Sequence, residues 1–332
     1  MKKILFFFLF LFIFSCFSII ALTLQFFLYA HTPAGGFERK VVLIKSGDSF
    51  NKITSKLMTA GIINKVKPFK MLARIFSYDI RVMAGEYILY PAMSPLSVLE
   101  KLARGNVLLH KVTIPEGYNL KQIAEVVSIK FSISEEEFLS KTTDPEILQQ
   151  IGLESNSLEG YLFPDTYFFP KTASCQLIIT TMYKHFQMNF SKEWEKRAEE
   201  LNLTTHEVVT LASIIEKETG QASERPIISS VFHNRLNKKM RLESDPTVIY
   251  GIKDYDGNIT KKHLKTKTPY NTYVIKGLPP GPIANPGIKS IEAALYPSKS
   301  KFLYFVSKKD GTHYFSENLK QHTEAVIKYQ KQ

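Results

Sequence analysis

After Lys2 and Lys3 the chain runs from Ile4 to Ala30 without a single charge, and no other feature limits its folding choices as strongly. A stretch of this length exceeds the apolar centre of a signal peptide and meets the ~20 residues needed to cross a bilayer. The pattern predicts one transmembrane helix over residues 1–30. A cleaved signal peptide is the first alternative, but "IALTLQFFLYA" offers no clean small-residue cleavage site. A lipoprotein signal at Cys16 is the second, and "IFSC" matches it poorly. With Lys2 and Lys3 held in the cytoplasm, the positive-inside tendency places residue 31 onward outside the cytoplasmic membrane. The expectation is a single-pass protein with a periplasmic or extracellular body.

That topology governs how the net charge of +12 is read. A basic balance usually raises nucleic acid as a partner, but an exported body meets anionic lipids and wall polymers instead, so nucleic acid is set aside. Lys261, Lys262, Lys265 and Lys267 read as a solvated loop. Of the two cysteines, Cys16 lies in the apolar run and Cys175 beyond it, so no intramolecular disulfide is expected. The 332 residues, 44% of them hydrophobic, suffice for one large or two modest domains.

The body divides by pattern. A linker, "HTPAGGF" (31–37), carries Pro33, Gly35 and Gly36 as breakers. Residues 38–108 then read as a compact α+β module. It has a strand at Val41–Ile44, a helix capped by Asp48 or Ser49 that stops at Gly61, a strand near Tyr87–Leu89, and a helix from Ser94 and Pro95 to Gly105. Strands and helices in so short a span resemble LysM-like modules, which bind chitin-type and peptidoglycan sugars. Residues 109–332 form a larger α+β domain, giving an α+β class overall. Within it, "LEGYLFPDTYFFP" (158–170) gathers aromatics around Pro164 and Asp165, as either a buried loop or a wall for stacking on sugar rings.

The segment "TTHEVVTLASIIEKETG" opens with a capping box, Thr204 to Glu207, and closes at Gly220, which predicts a helix over Thr205–Thr219. At ~100° per residue Glu216 and Glu218 lie about 200° apart. Glu218 falls on the face of Leu211, Ile214 and Ile215; Glu216 lies with Val209, Ala212 and Ser213. Burial and the negative helix end both disfavour an ionised carboxylate, so Glu218 is the one expected to be protonated near neutral pH and able to donate a proton. Its bland alternative is a frayed, solvated helix end. Ser223 and Pro226 start the next helix, with Asn234 and Arg235 near its far end, and an "SDPT" turn follows at 244–247. The Pro- and Gly-rich "TPYNTYVIKGLPPGPIANPG" (268–287) reads as a groove wall for a polar ligand.

The motifs "EGYLFPDTY", "LASIIEKETG", "SERPIISSVFHNRL", "LESDPTVIYG", "TPYNTYVIKGLPPGPIANPG", "FLYFV" and "HYFSENLKQH" together resemble the endolytic murein transglycosylases, the MltG or YceG-like family, over essentially residues 40–325. The resemblance implies a membrane-anchored lytic enzyme. It would cut β-1,4 bonds between N-acetylmuramic acid and N-acetylglucosamine within peptidoglycan glycan strands, leaving 1,6-anhydro ends and limiting strand length near peptidoglycan synthases. The family's catalytic glutamate falls on Glu218. Tyr270, Asn271 and Tyr273 would orient the sugar, with Asn234, Arg235 and Asp245 supporting. Glu243 stands where the family pattern carries glutamine.

Other chemistries fit less well. "HEVVT" (206–210) puts Thr210 where a zinc peptidase needs its second histidine, so neither metal nor cofactor is called for. Ser213 is followed by Glu216, not the lysine of a serine acyltransferase. A two-carboxylate glycosidase using Asp245 or Glu243 and a membrane-tethered wall-binding scaffold remain as alternatives.

Overall fold

The computed structural model describes residues 2–252 and 255–330 and is a mixed helix and sheet structure with an apolar amino-terminal helix. Two compact units are present, residues 1–110 with 168–173, and residues 111–167 with 174–332.

In the first unit α1 (Lys2–His31) is long and apolar enough to cross a membrane. Strand β1 (Lys40–Ile44) pairs antiparallel with β2 (Gly85–Leu89), Val42 opposite Tyr87. Alternation sends Val42, Ile44, Tyr87 and Leu89 inward. Against that face pack α2 (Phe50–Thr59), α3 (Val66–Ile75) and α4 (Pro95–Ala103) through Leu57, Phe69, Leu72 and Leu99. Ser49 caps α2, while Asp48 instead binds Lys52 and Lys56. Ser94 caps α4, with Pro95 in its first turn. The final turns of α1 join the same core through Phe26, Tyr29 and Ala30.

A second pair of strands, β3 (Leu109–Thr113) and β4 (Thr166–Pro170), forms its own small sheet; the division between the units falls within both. The larger unit is chiefly helical. It runs through α5 (Leu120–Lys130), α6 (Glu135–Thr142), α7 (Pro145–Ile151), α8 (Cys175–Asn189) and α9 (Lys192–Glu200) to α10 (Thr205–Glu218). Then come α11 (Arg225–Asn237), α12 (Asp245–Tyr250), α13 (Lys261–Lys265) and α14 (Ile288–Leu295), the hairpin β5 (Tyr304–Ser307) and β6 (His313–Ser316), and α15 (Leu319–Gln330). Helix α10 is the centre of this unit. Every residue from Val208 to Ile215 is buried, against α11 on one side and α14 on another.

Three local expectations change. The helix expected from Ser223 starts at Arg225, because Ala222–Glu224 form a 3₁₀ turn and Ser223 caps nothing. The "SDPT" turn is instead the start of a helix, with Ser244 at the N-cap of α12 and Asp245–Thr247 in its first turn. The basic stretch from Lys261 is a short exposed helix. The aromatic loop at 158–170 is largely internal, with Tyr161, Leu162, Phe163 and Tyr167 buried and Phe168 exposed.

Candidate active site

The capping box at the start of α10 forms as the sequence requires: Glu207 N–H donates to Thr204 Oγ1, and Thr204 N–H donates to Glu207 Oε2. That fixes the helix phase, and the two glutamates at its far end consequently point to different surroundings. Glu216 accepts from Arg225 Nη2 at 3.0 Å and from the Gly287 amide at 2.9 Å. Its carboxylate is nearly enclosed, an internal ion pair bracing α10 to the start of α11 and of α14.

Glu218 lines a cavity of about 360 Å³ together with Arg235, Glu243, Asp245, Tyr273 and His322. Tyr304, Phe305, Leu242 and Leu319 complete its wall. Burial raises the Glu218 carboxyl to about 7, and the charge of Asp245 pushes the same way; the Ser244 hydroxyl and Arg235 oppose it. Ser244 Oγ donates to Glu218 Oε1. This explains why α12 begins without a side-chain cap: the hydroxyl that would serve it is turned onto the glutamate. The Ser244 amide donates to Thr272 Oγ1 at 3.0 Å, and Thr272 and Thr247 share a hydrogen bond at 2.8 Å. All three residues are buried, so the donor facing Glu218 has little freedom to move.

Around that pair, Tyr273 Oη donates to Asp245 Oδ1 at 2.7 Å. Arg235 is spoken for by the backbone: Nε donates to Leu303 O, and Nη1 to the carbonyls of Arg241 and Leu242 and to Glu243 Oε2. Its guanidinium lies 5.0 Å from the Tyr304 ring centre. Glu243 adopts a left-handed backbone, φ 52°, an uncommon conformation for a residue with a Cβ. Burial lowers the His322 imidazole, and its buried Nδ1 has no hydrogen-bond partner among the described residues.

Of the residues singled out in the sequence, Glu218, Arg235, Asp245 and Tyr273 therefore share one cavity. Tyr270, Asn271 and Asn234 lie outside its lining. Tyr270 packs on Tyr250, ring centres 4.8 Å apart. Asn271 Nδ2 donates to the carbonyls of His263, Leu264 and Thr266, and Asn234 Nδ2 to those of Ser300 and Phe302. Much of the 268–287 segment likewise uses its amides to tie loops together; Asn285 bonds Leu162, Tyr118 and Glu159. Ser244, Tyr304 and His322 were not singled out, although the "LESDPT", "FLYFV" and "HYFSENLKQH" motifs contain them. Among the described residues no group of three His, Cys, Asp or Glu side chains could hold a metal.

Residues 42–328 match the YceG-like family. The chain belongs to that family. This YceG-like chain is 35% identical over 303 residues to the endolytic murein transglycosylase of Bacillus subtilis strain 168, covering 86% of the present chain and 83% of that one. It is 31% identical over 340 residues to the endolytic murein transglycosylase of Streptococcus pneumoniae D39, covering 92% of this chain but 61% of the longer relative. A crystal structure of a protein from Listeria monocytogenes described as YceG-like, solved at 2.6 Å, superposes with a TM-score of 0.60 at 37% identity, over 87% of this chain and 99% of that one.

The larger unit holds a second enclosed carboxyl, Glu159, raised to about 7 by burial; Leu120 N–H, Tyr250 Oη and Asn285 Nδ2 all donate to it. Linkage gives the sign for both. The unfolded chain releases these protons near 4.5, the folded state only near 7, so stability falls as pH rises through that window and is level above it. His233 and His322, held below 6.5 by burial, tilt the curve the other way at lower pH. Comparing wild type with Glu218→Gln isolates one carboxyl. The variant's stability relative to wild type should improve by ~1–3 kcal/mol between about pH 5 and about pH 8. A difference that stays flat in denaturant titrations would mean that Glu218 ionises like an exposed carboxylate.

Proposed function

We propose that this chain is a membrane-anchored endolytic lytic transglycosylase, cleaving the β-1,4 bond between N-acetylmuramic acid and N-acetylglucosamine inside peptidoglycan strands and leaving a 1,6-anhydro end. The observation that carries the reading is Glu218, which lines a cavity and holds its proton to about 7. Such a group is charged with a proton at working pH yet able to give it up. In the proposed reaction Glu218 donates its proton to the bridging oxygen as the bond to C1 breaks. The resulting carboxylate then takes the proton of the muramic 6-hydroxyl as that oxygen closes on C1. The nucleophile comes from the substrate, so one carboxyl serves both halves. Asp245 stabilises the protonated acid and, through Tyr273, fixes one wall of the cavity.

The remaining assignments rest on the chain's organisation. Helix α1 would anchor the protein with the amino terminus in the cytoplasm, following Lys2 and Lys3. The strand, two helices and strand of the first unit support a LysM-like module that engages glycan. Cleavage within nascent strands beside peptidoglycan synthases would limit their length. A second reading, hydrolysis by two carboxylates, draws support from Asp245 and Glu243 in the same cavity.

Mass spectrometry of sacculi digested with the full chain in detergent separates these readings. Anhydro-muramic ends are the expected product. Reducing muramic ends would favour hydrolysis, and binding without release would favour a scaffold.

A further inference from the structure

Helix α3 has three parallel stripes rather than two. Phe69 and Leu72 face the core of the first unit and are buried. Pro68, Met71 and Ile75, one residue behind at i, i+3 and i+7 spacing, form an adjoining stripe; Met71 is 52% exposed and Ile75 58%. One residue behind again, Lys67, Lys70 and Arg74 form a basic stripe, and Lys65 precedes them as the N-cap. No acidic residue occurs from Asn64 to Phe76, and none of the four cations makes an ion pair among the described residues. A helix that buries one stripe in its own protein and shows solvent an apolar stripe beside a basic one has the pattern of an interfacial helix.

The neighbouring helix supplies the level at which this surface sits. Pro68 and Met71 line a groove of about 610 Å³ whose other wall is α1, through Leu22, Gln25, Phe26 and Tyr29. The Tyr29 hydroxyl donates to the Lys65 carbonyl at 2.9 Å, tying the two helices. Helix α1 has 30 residues, or ~45 Å at 1.5 Å per residue, against ~30 Å of hydrocarbon in a bilayer. Counted from the lysines at its start, the last third, from Leu22 onward, emerges into the head-group layer. The groove and the basic stripe fall at that depth.

We infer that α3 rests on the bilayer surface, with acyl chains against Pro68, Met71, Ile75 and the α1 groove and the phosphates of anionic phospholipids against Lys65, Lys67, Lys70 and Arg74. This rests on α1 being the membrane anchor. It adds a second, electrostatic contact between the first unit and the leaflet into which α1 emerges.

The test uses the full chain with Cys16→Ser and Cys175→Ser, reconstituted in nanodiscs that contain nitroxide-labelled lipid. An environment-sensitive fluorophore is attached in separate samples at Leu11→Cys, Ile75→Cys or Lys308→Cys. With phosphatidylglycerol present, emission at positions 11 and 75 should be quenched and emission at 308 spared. Pure phosphatidylcholine, high salt, or Lys67→Gln with Lys70→Gln and Arg74→Gln should each release the quenching at 75 and leave that at 11. Quenching at 11 with none at 75 overturns the inference and leaves the anchor standing. Quenching at neither overturns both. Quenching at 75 that ignores phosphatidylglycerol, salt and the triple variant overturns the anionic recognition.

Discussion

Glu218→Gln should lower the release of anhydro-muropeptides from sacculi by ~10²-fold or more, the contribution typical of a positioned proton donor, while the protein stays folded and still binds glycan. The amide preserves the size of the side chain and a partner for the Ser244 hydroxyl, but it has no proton to transfer. Glu216→Gln should fail in a different way. Its carboxylate answers the nearly enclosed Arg225, whose Nε has no hydrogen-bond partner among the described residues, so neutralising it leaves that cation only the more distant Glu116 carboxylate, at 3.7 Å. That loss should be ~3 kcal/mol of stability, with activity following the folded fraction. Release that survives Glu218→Gln but vanishes with Glu216→Gln in an equally stable protein would place the acid on the opposite face of α10.

The second large effect comes from a residue without a side chain. Gly160 has φ +89°, and a Cβ there would stand 2.5 Å from Pro282 Cγ and 2.8 Å from Val209 Cγ1. Neither neighbour can yield easily, one being a ring in a rigid loop and the other part of the buried face of α10. Gly160→Ala should therefore cost ~3–5 kcal/mol, overpacking added to left-handed strain. Gly257→Ala is the internal control, because φ is +99° but nothing among the described residues lies within 4 Å, so only the strain of ~1–2 kcal/mol should register. Equal denaturation midpoints for the two variants would remove the steric part of the argument.

What could be read from the sequence was chiefly local. The Thr204–Glu207 box and Ser94–Pro95 start mark helices because their signals act within a turn. The phase of α10 then separates Glu218 from Glu216 without knowledge of any partner. Helix α3 carries no such mark: Lys65 stands at its N-cap without a side-chain bond, and Pro68 falls in the first turn, where the amide has no helical acceptor and proline is tolerated. The rest of the cavity was less legible because its walls come from distant segments: Glu243 precedes α12, Tyr304 begins β5, and His322 sits on α15. Polar type was a poor guide to role. Asn234, Asn271 and Asn285 look like ligand-binding amides in a string of letters, yet each spends its side chain on backbone carbonyls or loop ties, which only the folded chain reveals.

The first unit takes its last piece, Phe168–Ala173, from far downstream. During synthesis, α1 and residues up to His110 leave the ribosome roughly sixty residues before that piece does, a delay on the order of 3–12 s at ~5–20 residues per second. Helices form and strands pair in microseconds, well within that interval. The unit must therefore wait, tethered and unfinished, while part of its neighbour is made. Removing residues 38–108 as a cassette would strand the returning segment, so the two units are coupled in their assembly.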